Sequence, residues 1–94
     1  MNYAKRVDAS QKAITEAFRR VHWWHRVVSH FSGLGFDILT RHRDGYPVLL
    51  EIKSPGPPSS RQLTESESTL RDAFPEFFRV AVTPEDALAA VGLL

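Results

Sequence analysis

The stretch VLLEIKSPGPPSS, residues 48–60, sets an apolar run directly against Glu51 and Lys53 and then a proline-rich break. Side chains alternate along a strand, so Val48, Leu50 and Ile52 make one wholly apolar face while Leu49, Glu51 and Lys53 make the other. The apolar face is the core face. The second begins apolar and ends charged, as it would if the strand emerged into a cleft at its C-terminal end, where sheets with helices often bind ligands. Residues 54–62 contain three prolines, which remove donors and fix the backbone, so the strand gives way there to a loop.

Upstream, residues 36–41 and 46–53 read as two strands joined around Arg43-Asp44-Gly45, a hairpin signal. Two registers are open. A two-residue Asp44-Gly45 turn sets Asp37 opposite Ile52 and away from Glu51. A three-residue loop with Gly45 in the left-handed position of a bulge pairs His42 with Tyr46 and sets Asp37 opposite Glu51, their side chains about 5 Å apart. Two carboxylates that close repel unless one is protonated or a cation lies between them. A hard divalent ion, Mg²⁺ or Mn²⁺, suits such a pair, with Lys53 aimed at its water ligands or at a substrate phosphate. Asp37, Glu51 and Lys53 together supply what phosphodiester hydrolysis needs: a metal to activate water, and an ammonium to position it or to stabilise the transition state.

The rest of the chain frames this hairpin. Asp8 and Gln11 have capping-box spacing ahead of Ile14, Ala17, Phe18 and Val21, which predicts an amphipathic helix over residues 8–22. A first strand follows over residues 22–31, then the loose Ser32-Gly33-Leu34-Gly35 approach to Asp37. Thr64 and Glu67 repeat the capping-box spacing for a helix that stops at Pro75. A strand over residues 77–82 and a last helix opened by Thr83-Pro84 and closed near Gly92 complete the order α, β, β, β, α, β, α.

At 94 residues the chain has room for one core, and no second domain or internal repeat is visible. Its 43% hydrophobic and 24% charged residues fit a soluble globular domain, and no apolar run is long enough to span a bilayer. There is no cysteine, which excludes disulfides and thiolate metal sites. No signal peptide is visible, so the expected compartment is the cytoplasm. The net charge of +1 hides an asymmetry: residues 1–53 carry nine Lys and Arg against five Asp and Glu, residues 54–94 three against six. The basic part also holds His22, His25, His30 and His42, none in zinc-site spacing. Contact with a polyanion along that side fits the pattern. Trp23 and Trp24 alternate faces, so one belongs to the core and the other to the surface or an interface.

Asp37 followed fourteen residues later by Glu51-Ile52-Lys53, on a hairpin flanked by helices in the order αβββαβ, resembles the PD-(D/E)xK nuclease superfamily. Within it the chain is most similar to the small VRR-NUC and Holliday-junction-resolvase-like nucleases, including phage-encoded forms. The resemblance runs through RVDASQKAI (6–14), the glycines before Asp37, LLEIKSPGPPSSRQLT (49–64) and VAVTPEDALAAVG (80–92). It implies a single nuclease domain over residues 1–94 with a restriction-endonuclease-like α/β fold: an αβββαβ core, a mixed central sheet and a C-terminal helix. It further implies Mg²⁺- or Mn²⁺-dependent endonucleolytic cleavage of DNA, with Asp37, Glu51 and the Ile52 carbonyl as metal ligands and Lys53 as the catalytic lysine. Asp8, Gln11 or Glu16 of the first helix would assist. Branched or flap DNA is the implied substrate, in a bacterial or phage-infected cell. Three departures stand out: Phe36 replaces the usual proline before the first acid, Glu67 replaces a glutamine common in the helix after the lysine strand, and no recognition domain is appended.

Arg19, Arg20, Arg26, His30, Arg41 and Arg43 are the expected phosphate contacts. A homodimer is expected because so small a domain covers little DNA and a two-fold pair could cut both strands. From another class, a non-catalytic module using this fold to grip DNA or a protein is the alternative.

Overall fold

The computed structural model describes residues 3–94, with side chains from Asp8 onward. Its elements are α1 (Tyr3–Arg20), β1 (His25–Val27), β2 (Ile38–Arg41), β3 (Pro47–Ile52), a 3₁₀ turn (Pro58–Arg61), α2 (Glu65–Ala73), β4 (Phe78–Ala81) and α3 (Pro84–Ala90). The expected order of helices and strands is the order found. Four strands form one sheet, β1-β2-β3-β4, antiparallel across the first three and parallel between β3 and β4. The chain is thus an α/β fold with a mixed four-stranded sheet.

Several boundaries differ from expectation: β1 ends at Val27 rather than reaching residue 31, β2 begins at Ile38 rather than at residue 36, and both ends of the first helix differ for local reasons. The first helix starts at Tyr3, so Asp8 and Gln11 lie inside it and do not cap it; the Ala, Lys and Arg of residues 4–6 favour helix and carry the hydrogen bonding upstream. Its end consumes residues assigned to the first strand. His22 takes a left-handed φ of 54°, its N–H donates to the Arg19 carbonyl at 3.1 Å, and the Trp23 N–H donates to the Phe18 carbonyl at 2.9 Å. This double closure is a Schellman motif, which delays β1 to His25.

α1 and α3 cover one face of the sheet, where Ile14, Phe18, Ile38, Val48, Leu50, Ile52, Ala81, Ala87 and Val91 make the core. Val48, Leu50 and Ile52 are at most 1% exposed, so the apolar side of β3 faces the core as its alternation requires. Each such side chain contributes roughly 1.5–3 kcal/mol by leaving water. Trp23 packs against this core and Trp24 stands exposed, dividing the pair as expected.

Of the two hairpin registers, the three-residue loop forms. The His42 N–H donates to the Tyr46 carbonyl at 2.8 Å, Gly45 has φ 106°, and Ile38 pairs with Leu50, Leu39 with Leu49 and Thr40 with Val48. A positive φ there suits only a residue without a Cβ. The paired ladder ends at Ile38–Leu50, and Asp37 just before it lies near enough to Glu51 for its charge to raise that carboxyl.

Candidate active site

Asp37 sits where β2 leaves the ladder. Its N–H donates to the Leu50 carbonyl at 2.9 Å, its carbonyl accepts from the Val28 N–H at 2.8 Å, and its side-chain Oδ2 accepts from the Ile52 N–H at 2.8 Å. The carboxylate therefore takes the hydrogen bond that a longer β2 would have taken, and is clamped to the end of β3. Main-chain groups of one strand residue point to the same edge, so the Ile52 carbonyl is directed to the side on which Asp37 is held.

Glu51 and Lys53 lie on the sheet face opposite the core, as alternation requires, but they do not emerge into an open cleft. They are only 5% and 4% exposed. Their cover is the charged end of α2: Lys53 Nζ donates to Glu67 Oε1 at 2.7 Å and stands 3.8 Å from Glu51 Oε1. The same Glu67 oxygen accepts from the Thr64 N–H at 2.9 Å, closing a capping box with Thr64. Capping and ion pairing thus share one carboxylate.

Glu51 and Glu67 both face the buried Lys53, and Asp37 lies near Glu51. The Glu51 carboxyl is pushed up to about 9, most by burial and then by the charges of Asp37 and Glu67 and a hydrogen bond with Glu67, while Lys53 only partly opposes them. Glu51 is protonated at neutral pH in this state. Burial also works against ionising Glu67, but hydrogen bonds from Lys53, the Thr64 N–H and Glu51 outweigh it and hold that carboxyl below its ordinary value.

The carboxyl groups of Asp37 and Glu51 and the Ile52 carbonyl are hard oxygen donors of the kind a divalent cation takes. Asp37, Glu51 and the Ile52 carbonyl are the residues that would hold it. Among the described residues no three of His, Cys, Asp and Glu gather into a cation site.

The glycines before Asp37 have a packing role. Gly35 has φ 89°, and a Cβ there would lie 2.8 Å from the Ser66 carbonyl oxygen and 3.3 Å from the Leu70 Cβ. Only glycine lets this loop seat on α2 and deliver Asp37 two residues later. A groove of about 590 Å³ beside it, lined by Gly33, Ser66, Leu70 and Ala73 among others, includes none of the four charged residues.

The other expected site residues are dispersed. Asp8 is exposed within α1, Gln11 and Glu16 are half-buried, and none of the three hydrogen-bonds to Asp37 or Glu51 among the described residues. Arg41 and Arg43 belong to the hairpin end of the sheet, Arg41 opposite Pro47 about 13 Å along β3 from Glu51 and Arg43 beyond it in the loop. Arg41 is also engaged there, its guanidinium 5.6 Å from the Trp23 ring and bonded to the His42 and Arg43 carbonyls. Arg19 and Arg20 are exposed in the last turn of α1, and His30 is exposed against the Phe31 ring at 4.3 Å. Arg26 is exposed on β1, on the face that carries Leu39, Leu49 and Glu51. Glu67 is the functional candidate that motif spacing understated: its capping-box position announces a helix start, while its reach to Lys53 depends on how α2 is laid on the sheet.

Among the described residues no helix is long and apolar enough to cross a membrane. Compared with models of known protein families, with curated proteins and with solved structures, the chain matches none.

Proposed function

We propose that this protein is a metal-dependent DNA endonuclease built on a restriction-endonuclease-like core, with Asp37 and Glu51 as cation ligands and Lys53 as the catalytic lysine. The observation that carries the reading is the clamp of the Asp37 carboxylate on the Ile52 N–H, which brings it to the end of β3 beside Glu51 and Lys53. Two strands supply the acids, a third element supplies the counter-charge to lysine, and the sequence order of these parts matches the superfamily pattern.

A bound Mg²⁺ or Mn²⁺ supplies an activated water and neutralises charge on the scissile phosphate. Asp37, Glu51 and the Ile52 carbonyl would hold the ion, Glu51 as a carboxylate once its proton is given up. Lys53, held as an ammonium by Glu67, is the group that positions the attacking water or stabilises the added negative charge. Asp37 is half-exposed while Glu51 and Lys53 are buried, so substrate approaches from the Asp37 side.

The burial of Lys53 in an ion pair favours one alternative, a non-catalytic module in which Glu51, Lys53 and Glu67 only hold α2 to the sheet. Cleavage assays separate the two. Plasmid, flap and four-way-junction DNA are incubated with the protein in Mg²⁺, Mn²⁺ or EDTA, with Asp37→Asn and Lys53→Ala beside wild type. Asn keeps an acceptor for the Ile52 N–H, so Asp37→Asn folds while losing its charge. Metal-dependent cutting lost in both variants supports the nuclease; intact wild-type folding with no cutting of any substrate supports the module.

A further inference from the structure

The β1 margin of the sheet carries a solvent-facing aromatic and cationic lane that the carboxylate cluster does not use. Trp24 is 45% exposed, yet its main chain is fixed, because the buried Thr40 hydroxyl donates to its carbonyl at 2.6 Å. The Arg26 guanidinium lies 5.1 Å from the Trp24 ring centre, and is itself steadied by a 2.8 Å hydrogen bond to the His25 carbonyl. The pair presents a half-exposed aromatic face with a cation beside it, the combination on which an unpaired base and its phosphate can rest.

Strand alternation aims this lane at the site. His25 packs against Phe18 and Val27 against the core, so Arg26, and with it Trp24, stand on the other face. Arg26 pairs with Leu39 and Leu39 with Leu49, whose face-neighbour along β3 is Glu51. One residue past β1, the Val28 N–H donates to the Asp37 carbonyl. From Trp24 to Val28 the strand advances about 13 Å, a span of a few nucleotides. No acidic residue occurs between Glu16 and Asp37, and Arg26 is the charged side chain that this stretch places on the lane.

We propose that Trp24 and Arg26 form a binding lane for single-stranded nucleic acid: a base stacks on the Trp24 ring, Arg26 contacts the adjoining phosphate, and the strand leads toward Asp37. Stacking needs an unpaired base, which a duplex does not offer, so the lane selects single-stranded segments such as overhangs or flaps. Its role in delivering substrate rests on the nuclease reading; its binding does not.

The test measures binding in EDTA by fluorescence anisotropy, using labelled oligo(dT) of about 12 nucleotides and a duplex of the same length. Wild type is expected to prefer oligo(dT). Trp24→Ala should weaken oligo(dT) binding about tenfold and leave duplex binding within about twofold, while Trp24→Phe retains most of it. Arg26→Ala should weaken it and reduce the salt slope by roughly one. Trp24 is exposed, so these variants fold, and circular dichroism confirms it. Equal affinity for single and double strands, or oligo(dT) binding unmoved by Trp24→Ala, overturns the lane. Oligo(dT) binding through Trp24 in a protein that cuts nothing leaves the lane standing and removes the nuclease.

Discussion

Lys53 Nζ and Glu67 Oε1 meet at 2.7 Å beneath α2, a helix that has no fully buried residue of its own. α2 is therefore held to the sheet mainly by polar and close-packed points: this ion pair, and the seat of Gly35 on Ser66. The side chains of Lys53 and Glu67 are 5% and 13% exposed, so the pair is screened little by solvent. Removing one partner of such a pair strands the other charge, which costs far more than a surface bridge returns.

Glu67→Ala removes both the ion pair and the capping box and should lower stability by about 3–5 kcal/mol in urea unfolding. Glu67→Gln keeps an oxygen for the Thr64 N–H and should lose visibly less. Equal losses in the two variants would show that the charged lysine contact, not the cap, is what α2 requires.

Glu51 gives the fold a pH dependence of unusual sign for an acid. Its folded value of about 9 lies above the ordinary 4.5, so the folded chain keeps a proton that the unfolded chain releases. That contribution is complete below 4.5 and is lost as pH rises through 9. Glu67 acts oppositely, since its lowered carboxyl contributes above the ordinary value and loses that contribution on acidification. Glu51→Gln should abolish most of the decline in melting temperature between about pH 6 and pH 9. A decline of unchanged steepness in the variant would place the titrating group elsewhere.

Gly35→Ala forces a Cβ to within 2.8 Å of the Ser66 carbonyl oxygen from a backbone φ of 89°. The loop or α2 must then shift, at a cost of about 2 kcal/mol or more. Gly33 also has a positive φ but has nothing within 4 Å of its absent Cβ, so Gly33→Ala carries only the backbone part. Comparing the two melting temperatures isolates the contact with α2, and equal shifts would refute its importance.

The legible parts of this fold were those governed by local rules. The alternation of residues 48–53 assigned both faces of β3 correctly, the Thr64 capping box starts α2 where its spacing says, and α3 opens at Thr83-Pro84. The hairpin remained ambiguous in sequence because two- and three-residue loops both accommodate Asp44-Gly45, and only the formed His42–Tyr46 pairing decides between them. The extent of α1 was misjudged because Asp8 and Gln11 have cap spacing within residues that simply continue a helix. The burial of Glu51 and Lys53 was not legible either. It depends on where α2 comes to rest, which is set by Gly35 and by residues far apart in the chain.

Calorimetric titration with Mn²⁺ tests most directly whether Asp37 and Glu51 form one cation site. Carried out near pH 7.5 in two buffers of different ionisation enthalpy, it should show saturable binding to wild type with release of about one proton, the one carried by Glu51. Asp37→Asn should abolish that binding, and Glu51→Gln should abolish both binding and proton release. Wild-type protein that takes up no Mn²⁺, or uptake undiminished in Asp37→Asn, would contradict the account.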